Sequence, residues 1–421
     1  MTAYRCQHHQ SSSSSHQQGL DSGVNPASSK LSLALLNHLS SSKKWWSGLL
    51  GAIALMAAGV SSLFVALPAQ AALELRVAIE QDTSQVNLGT STSGRLLDGR
   101  GQVIAQIPAG GGFVAQASNG SVKIHQWTDS QFWIEPTGDG IVYIGNKWYR
   151  GRTRVVAQPG GLTAVNYVDL EHYLYSVVGG EMPTSWPLES LKAQAVAARS
   201  YVLYRRDRNQ GSIFDVGDTT AWQVYRGLEE EASSTLAAVD ATQGQVMTHN
   251  NRIIEAVFHS SSGGHTEDVE DIWSSAIPYL RGVVDFDQAA PVYQWNKQVS
   301  ASELQKSVSG VGNIFSFTPV ETTPRGRVVK MQVQGDQGSK LVDGSTLRSS
   351  LGLRSTLFAI APEQAGNVST PSTFSVYGRG FGHGVGMSQW GAHGMANQGY
   401  GYQQILGHFY QGTSLAVIDV Q

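Results

Sequence analysis

The chain has 421 residues with 29 Lys and Arg against 32 Asp and Glu, so its net charge of −3 excludes the basic excess of a typical nucleic-acid-binding protein. This length is enough to bury a full hydrophobic core and to form two or three domains. Its 47 glycines and 14% charged residues are typical of a loop-rich globular protein with much strand, and they exclude a coiled coil or a disordered chain.

The N-terminus predicts a targeting segment. Residues 1–42 are polar and serine-rich, which predicts disorder. Two lysines then precede an uncharged stretch, 45–67, and the small-x-small pattern of a signal-peptidase site follows at Ala69 and Ala71. Residues 43–71 are therefore predicted to be a signal peptide. An uncleaved membrane anchor is the alternative, because the stretch is long enough to span a bilayer.

Either alternative predicts that the rest of the chain lies outside the cytoplasm, with membrane contact only if the segment is retained. The single cysteine, Cys6, precedes the predicted cleavage site. A mature chain without a thiol has no cysteine nucleophile, no disulfide and no cysteine-ligated zinc.

Residues 73–160 predict a β-rich region. Leu73, Leu75, Val77 and Ile79 alternate with polar residues, which is the period of a half-buried strand. Similar short runs continue to about residue 156, separated by glycines. The aromatic side chains of this region are predicted to belong to its core.

Helical spacing becomes clear further along the chain. Leu188, Leu191, Ala195, Ala198 and Val202 are three or four residues apart, which predicts a helix with one apolar face. A second helix is predicted over residues 229–241. Strands at 245–247 and 252–258 flank Asn250-Asn251, which predicts a hairpin. The predicted fold class is α+β, with a smaller β-rich N-terminal region at 73–160 and a catalytic α/β core at 161–421.

One candidate site centres on Glu181. It lies between Gly179-Gly180 and Met182-Pro183, just before the predicted helix. An apolar wall from Met182-Pro183 and Trp186 would raise the pKa of this carboxyl, as a general acid near neutral pH requires. The alternative is a surface glutamate that caps a loop.

A second candidate is the loop 259–265, in which His259 and His265 flank a Ser- and Gly-rich run and four acids follow at 267–271. Two histidines with a carboxylate or water could bind zinc, but this spacing matches no standard metal motif. Hydrogen-bonded loop histidines are the alternative.

A third candidate is the segment 378–394, where glycine recurs at every second position. In an extended segment these glycines leave one face without side chains, so a ligand or another backbone can approach closely. No register gives GxGxxG, so a dinucleotide loop is not indicated. A polysaccharide groove fits, bordered by Arg379, His383, Gln389 and Trp390, and close backbone packing is the alternative.

Together these segments resemble the SpoIID/LytB family, which comprises stage II sporulation protein D and the LytB amidase enhancers. The resemblance covers residues 165–415 and rests on GEMPxxWP at 180–187, LKAQAVAAR at 191–199, HSxSGGHT at 259–266 and GRGxGHGVGMSQ at 378–389.

The resemblance implies an exported peptidoglycan lytic transglycosylase that acts on glycan strands lacking stem peptides, in the cell wall or periplasm. Glu181 occupies the catalytic position. It would protonate the glycosidic oxygen and then take the proton of the 6-hydroxyl, closing an anhydro ring. The residues expected to bind the glycan are Trp186, Lys192, Gln194, Arg199, Tyr201, Ser262, Arg379, His383, Gln389 and Trp390.

Muramidase-type hydrolysis stays open, because a second carboxylate is available among Asp169, Glu171, Glu189 and the acids at 267–271. The other functional alternative is a non-catalytic wall-binding protein that stimulates an N-acetylmuramoyl-L-alanine amidase. The mechanism requires no cofactor. Some family members bind zinc with cysteine beside histidine, so His259 and His265 are candidate ligands here, although Ser260 and Ser261 stand where a thiol might.

Overall fold

A computed structural model of the chain describes residues 5–7, 73–273, 275–363 and 371–419. The predicted signal peptide or anchor at 43–71 lies outside these residues. So does the predicted disordered segment 1–42, apart from strand β1 (Arg5–Gln7), which pairs antiparallel with the last strand of the chain. The residues from 73 to 419 belong to one compact unit and form a mixed α+β fold, as predicted.

The region up to residue 169 consists of strands, as predicted. They are β2 (Glu74–Thr83), β3 (Gln85–Thr90), β4 (Gly94–Leu97), β5 (Val103–Ile107), β6 (Gly112–Ser118), β7 (Ser121–Ile124), β8 (Trp127–Asp129), β9 (Gln131–Pro136), β10 (Val142–Ile144), β11 (Lys147–Tyr149), β12 (Arg152–Gln158) and β13 (Gly161–Asp169).

These strands form two sheets that contribute to one core. The first has the order β2-β13-β12-β9-β4-β5, and β14 (Val216–Gly217) joins its β2 edge in parallel. The second has the order β11-β10-β3-β6-β7-β8. The predicted boundary at residue 160 falls in the turn of the β12–β13 hairpin, in which every residue of β12 pairs with β13, so the core is continuous across it.

A β-bulge changes the predicted face of β2. Leu73, Leu75 and Val77 are buried as the alternation predicts, but Ala78 is also buried while Ile79 is only half-buried. The register with β13 shifts at this point, and an extra residue in one strand moves the following side chains to the other face.

Two helices follow the sheets. Helix α1 (Leu170–Glu181) is capped by Asp169, whose side chain accepts from the first-turn amides, and its buried residues recur at helical spacing. Helix α2 (Leu188–Arg208) confirms the predicted helix, with Pro187 at its N-cap. The predicted single apolar face is wrong: Leu188 is 43% exposed, and residues 190–203 apart from Lys192 are buried on every side. The reason is that α2 is packed by α1, β15 and three further helices.

The chain then returns through short elements. The helix predicted at 229–241 is a 3₁₀ turn (Gly227–Glu230) followed by α3 (Ser233–Asp240). The predicted hairpin is present as β15 (Gln245–His249) and β16 (Arg252–Ile253), and Asn250 and Asn251 both have positive φ. Strand β17 (Phe258–His259) and helix α4 (Val269–Ile272) follow.

Residues 294–379 form an inserted subdomain with a hydrophobic core of its own. Two three-stranded sheets, β18-β23-β22 and β19-β20-β21, build it. Its elements are β18 (Gln294–Ser300), α5 (Ala301–Ser307), β19 (Ile314–Thr322), β20 (Val328–Gly335), β21 (Gly338–Asp343), α6 (Gly344–Ser350), β22 (Phe358–Pro362) and β23 (Thr373–Arg379).

The C-terminal segment rejoins the main core through β24 (Met387–Ser388), α7 (Gln389–Asn397), α8 (Tyr402–Phe409) and β25 (Ser414–Asp419). Strand β24 pairs in parallel with β17, which brings the His259 loop and the glycine-rich segment side by side. None of the helices in the described ranges has the length and hydropathy of a membrane span.

Candidate functional site

Glu181 is the last residue of α1, so a helix rather than a loop fixes its backbone. Gly179 and Gly180 belong to the final helical turn instead of forming a flexible hinge. A Cβ on Gly180 would lie 2.8 Å from the carbonyl oxygen of Val224, and one on Gly179 would lie 1.9 Å from that of Glu230. The two glycines therefore allow the segment 224–230 to approach the C-terminal turn of α1 closely.

Two donors bind the Glu181 carboxylate. Oε1 accepts from the Val224 backbone N–H at 2.8 Å, and Oε2 accepts from Gln389 Nε2 at 3.2 Å. Burial raises the pKa of Glu181, while both hydrogen bonds and the nearby Arg226 oppose this increase. The raised pKa favours the protonated acid. The two donors stabilise the carboxylate that forms when this acid loses its proton.

Buried anchors on either side hold Val224 in place. Gln223 is fully buried between the first two helices: it accepts from the Tyr173 hydroxyl at 3.1 Å and donates to the Ala198 carbonyl at 3.3 Å. The Tyr225 hydroxyl donates to Asn166 Oδ1 at 2.7 Å. The Val224 amide is therefore presented to Glu181 by a fixed backbone.

Glu181 lines a cleft of about 500 Å³, within the range of about 300–1,000 Å³ usual for small-molecule sites. Met182, Pro183 and Trp186, the predicted apolar wall, are not among the lining residues, whereas tyrosine, tryptophan and phenylalanine side chains from other elements are. We call this the Glu181 cleft, and its lining residues are Glu181, Tyr201, Arg205, Thr220, Ala221, Trp222, Val257, Phe258, His259, Ser260, Trp273, Arg348, Phe381, Gly382, His383 and Gln389.

Glu181 is the one carboxylate among the residues that line the cleft. None of the other acids proposed from the sequence lines the cleft, and four of them have structural partners elsewhere. Asp169 caps α1, and Glu171 pairs with Arg199 at the far end of that helix. Glu189 binds Lys192 at 2.7 Å, and Glu267 accepts from the Thr323 hydroxyl at 3.0 Å.

The two histidines of the cleft are neutral hydrogen-bonding groups. His383 Nε2 donates to the Phe258 carbonyl at 2.9 Å, and its Nδ1 accepts from the Val385 N–H at 3.1 Å. Burial lowers the pKa of His383 to about 4 and that of His259 well below its usual value. His259 Nδ1 donates to the Val385 carbonyl at 3.1 Å, which leaves its Nε2 as a buried acceptor without a partner.

These histidines do not fit a zinc site. His383 has no free lone pair, and His265 Nδ1 donates to the neighbouring Thr266 carbonyl. In the described ranges, no three His, Cys, Asp or Glu side chains are grouped so that they could hold a metal ion. Structural and catalytic zinc each need at least three protein ligands, and here only His259 Nε2 is available in the cleft.

The glycine-rich segment packs closely against neighbouring residues, and two of its glycines, Gly380 and Gly386, meet backbone atoms as the alternative to a ligand groove predicted. Gly380, Gly382, Gly384 and Gly386 all have positive φ, so the segment is not an extended strand. A Cβ at Gly386 would lie 2.1 Å from the Val257 carbonyl oxygen, and the other three glycines are similarly close to neighbouring residues. Gly380, Gly382 and Gly386 pack against the segment 257–263, whereas Gly384 packs against the Arg327 side chain. Of these four glycines, Gly382 alone lines the cleft.

Of the residues predicted to bind glycan, three line the cleft with Glu181: Tyr201, His383 and Gln389. Trp186 and Trp390 lie outside the lining, with ring centroids 4.7 Å apart, and both pack against His393. Their cluster adjoins the cleft through Gln389, the residue before Trp390.

The other predicted binding residues lie away from the cleft. Arg199 is fully buried, with its Nε 2.9 Å from Glu171 Oε1, and Gln194 is buried in the core. Lys192 pairs with Glu189 on the surface of α2. Ser262 donates to the buried Asp285, and Arg379 packs over the Tyr293 ring in the inserted subdomain.

Sequence reasoning missed the segment 218–226 and the contribution of the inserted subdomain. The segment supplies Thr220, Ala221, Trp222 and the Val224 amide. Its sequence, DTTAWQVYR, mixes polar and aromatic residues between Gly217 and Gly227, a signal that would have indicated a functional loop. Arg348 reaches the cleft from α6 by tertiary packing alone, and no local sequence signal marks it.

Comparison with known proteins gives two family models. One, described as stage II sporulation protein (SpoIID), matches residues 158–249. The other, described as a domain of unknown function (DUF8618), matches residues 278–386, which contain the inserted subdomain.

Three curated relatives cover more of the chain. Stage II sporulation protein D of Bacillus subtilis is 36% identical over 281 residues, which is 61% of this chain and 77% of the relative. An uncharacterized protein of Brachyspira hyodysenteriae is 33% identical over 284 residues, 66% of this chain and 75% of the relative. The amidase enhancer of Bacillus subtilis is 32% identical over 297 residues, 58% of this chain and 40% of the relative.

Proposed function

The chain belongs to the SpoIID/LytB family, and on that basis we propose that it is a peptidoglycan lytic transglycosylase that cleaves denuded glycan strands. Glu181 is its acid and base. The observation that carries this proposal is a single half-buried carboxyl with a raised pKa and two fixed hydrogen-bond donors. Among the described residues that line its cleft there is no second carboxylate.

The first step is general-acid catalysis. Protonated Glu181 gives its proton to the glycosidic oxygen that links C1 of N-acetylmuramic acid to the next sugar. The C1–O bond breaks with oxocarbenium character at C1. The Val224 N–H and Gln389 amide stabilise the carboxylate formed at this moment, because hydrogen bonds to a charged acceptor are the stronger kind.

The second step returns the proton. The Glu181 carboxylate accepts the proton of the 6-hydroxyl of the same muramic acid, and O6 bonds to C1 to close a 1,6-anhydro ring. No water is consumed, and Glu181 ends protonated, ready for another cycle. One carboxyl in two protonation states is sufficient for this sequence.

Hydrolysis by the usual glycosidase mechanism uses a second carboxylate about 5–10 Å from the first. Glu171 lies ten residues before Glu181 on α1, about 15 Å away at a rise of about 1.5 Å per residue. Asp218 is the strongest remaining candidate because burial raises its pKa to about 6, but it does not line the cleft. These positions support the lyase over the hydrolase.

Aromatic side chains supply a surface for sugar rings. Trp273 is 43% exposed, and Trp222, Tyr201 and Phe381 line the same cleft. Aromatic faces bury the apolar faces of sugars without requiring charge. We therefore assign these residues to binding and Glu181 to chemistry.

The second candidate function is a non-catalytic enhancer of an N-acetylmuramoyl-L-alanine amidase. The similarity to a protein named amidase enhancer favours it, although the chain spans only 40% of that relative. Both functions place the protein outside the cytoplasm in the cell wall or periplasm, with glycan strands as ligand and an amidase as a possible partner. That localisation rests on the predicted signal segment.

Activity of the purified protein alone separates the two functions. Denuded glycan strands are incubated with the protein, with an amidase, or with both, and soluble fragments are quantified. We expect fragments from the protein alone. Fragments that form only when amidase and intact peptidoglycan are both present would establish the enhancer instead.

A further inference from the structure

Two arginines, Arg205 and Arg348, line the Glu181 cleft. Arg205 is neutralised, because its Nη2 lies 2.6 Å from Glu255 Oε1. Arg348 lines the cleft without a carboxylate within salt-bridge distance among the described residues, and its guanidinium donates no hydrogen bond to any of them.

A rigid element holds Arg348 at this position. It belongs to α6 of the inserted subdomain, where the preceding residue, Leu347, is fully buried in the subdomain core. Arg348 lies near enough to His259 and His383 to lower the pKa of both. The inserted subdomain therefore contributes one charged group to a cleft otherwise built by the main core.

An unpaired guanidinium in this setting is unfavourable. Arg348 is half-buried, and this burial lowers its pKa, yet an arginine stays protonated in proteins. Its charge loses part of its hydration without a protein anion to compensate. An anionic group on the substrate would remove this cost, and a planar carboxylate matches the guanidinium fork.

We propose that Arg348 binds the free lactyl carboxylate of N-acetylmuramic acid and thereby selects glycan strands that lack stem peptides. This inference rests on the proposed function. The lactyl group is attached at C3 of the sugar whose C1–O bond Glu181 cleaves, so both groups belong to one cleft. When a stem peptide is present, the same carboxyl is an amide without charge.

Binding of three strand preparations tests the assignment: denuded strands with free lactyl carboxylates, the same strands with that carboxyl converted to a methylamide, and strands that keep their stem peptides. The Glu181→Gln protein is used so that cleavage does not interfere. Arg348→Gln is compared with Arg325→Gln, an exposed arginine of the same subdomain between β19 and β20. Arg348→Lys retains the charge but loses the fork.

We expect free-acid strands to bind about 10- to 100-fold more tightly than the methylamide, the range of one charge-assisted interaction. Arg348→Gln should bring this ratio to about one, Arg348→Lys to an intermediate value, and Arg325→Gln should leave it unchanged. In the protein with Arg348 intact, added salt should reduce the ratio, which needs no Arg348 variant.

A ratio that Arg348→Gln does not change would overturn the assignment. Arg348-dependent binding of peptide-bearing strands, with none of the free acid, would also overturn it, since the carboxylate would then come from the peptide. Absence of cleavage by the wild-type protein refutes the proposed function separately, because the binding ratio is measured without turnover.

Discussion

Replacement of Gln389 by methionine should move the pH dependence of activity upwards. Methionine keeps most of the side-chain volume but removes the donor that lies 3.2 Å from Glu181 Oε2. That bond stabilises the charged carboxylate, so its loss raises the pKa of Glu181 further. A hydrogen bond to a charged group contributes about 1.5–3 kcal/mol, and a pKa unit corresponds to about 1.4 kcal/mol. Because this contact is long, we expect a shift of about one unit.

The sign follows from the role of Glu181 as an acid. Activity requires the protonated form and falls as pH rises through its pKa, so Gln389→Met should shift the basic limb of kcat/KM on denuded strands to higher pH by about one unit. Gln398→Ala, at an exposed glutamine just after α7, is the matched control. A basic limb that stays in place, or moves to lower pH, would refute this account of how Glu181 is held.

The remaining predictions concern the packing next to Glu181, a buried ion pair and a buried carboxyl. Gly180→Ala should reduce activity at least about tenfold, because its Cβ would lie 2.8 Å from a backbone carbonyl oxygen of the segment that binds Glu181; Gly407→Ala, with no atom within 4 Å, should keep activity and stability. Arg199→Leu should lower the free energy of unfolding by about 3–5 kcal/mol in thermal denaturation, since it leaves a carboxylate without its buried partner. Burial raises the pKa of Asp285 to about 7, so this carboxyl lowers the stability of the folded protein as pH rises from about 4 to about 7. In urea unfolding, Asp285→Asn should therefore lose less stability over this range than the wild type, and an equal loss would contradict the prediction.

Local patterns predicted the elements that depend on local forces. Asn250-Asn251 specified a hairpin because asparagine tolerates the positive φ that both residues adopt. The spacing of apolar residues predicted α2, and the motif around Glu181 identified the catalytic residue proposed here. The β-bulge at Ile79 could not be read from alternation, because it depends on pairing with β13.

Long-range packing determines which of the predicted binding residues line the cleft. Lys192, Gln194 and Arg199 share one helix with Tyr201, yet only Tyr201 lines the cleft, because α2 is enclosed by other elements and most of its residues serve the core. The Val224 donor is a backbone N–H, so its residue type gives no indication of its role. Arg348 belongs to a subdomain about 170 residues after Glu181 in the chain. A motif identifies residues within one segment, whereas Glu181, Val224 and Arg348 come from three separate segments.

Mass spectrometry of the soluble products shows which reaction the protein catalyses and whether Glu181 carries it. Wild-type protein and Glu181→Gln are each incubated with denuded glycan strands. We expect fragments ending in 1,6-anhydro-muramic acid from the wild type and none from the variant. Reducing muramic ends from the wild type would contradict it by showing hydrolysis, and Asp218 would then be the first carboxylate to replace. Anhydro ends formed equally by the Glu181→Gln protein would contradict the role of Glu181 itself.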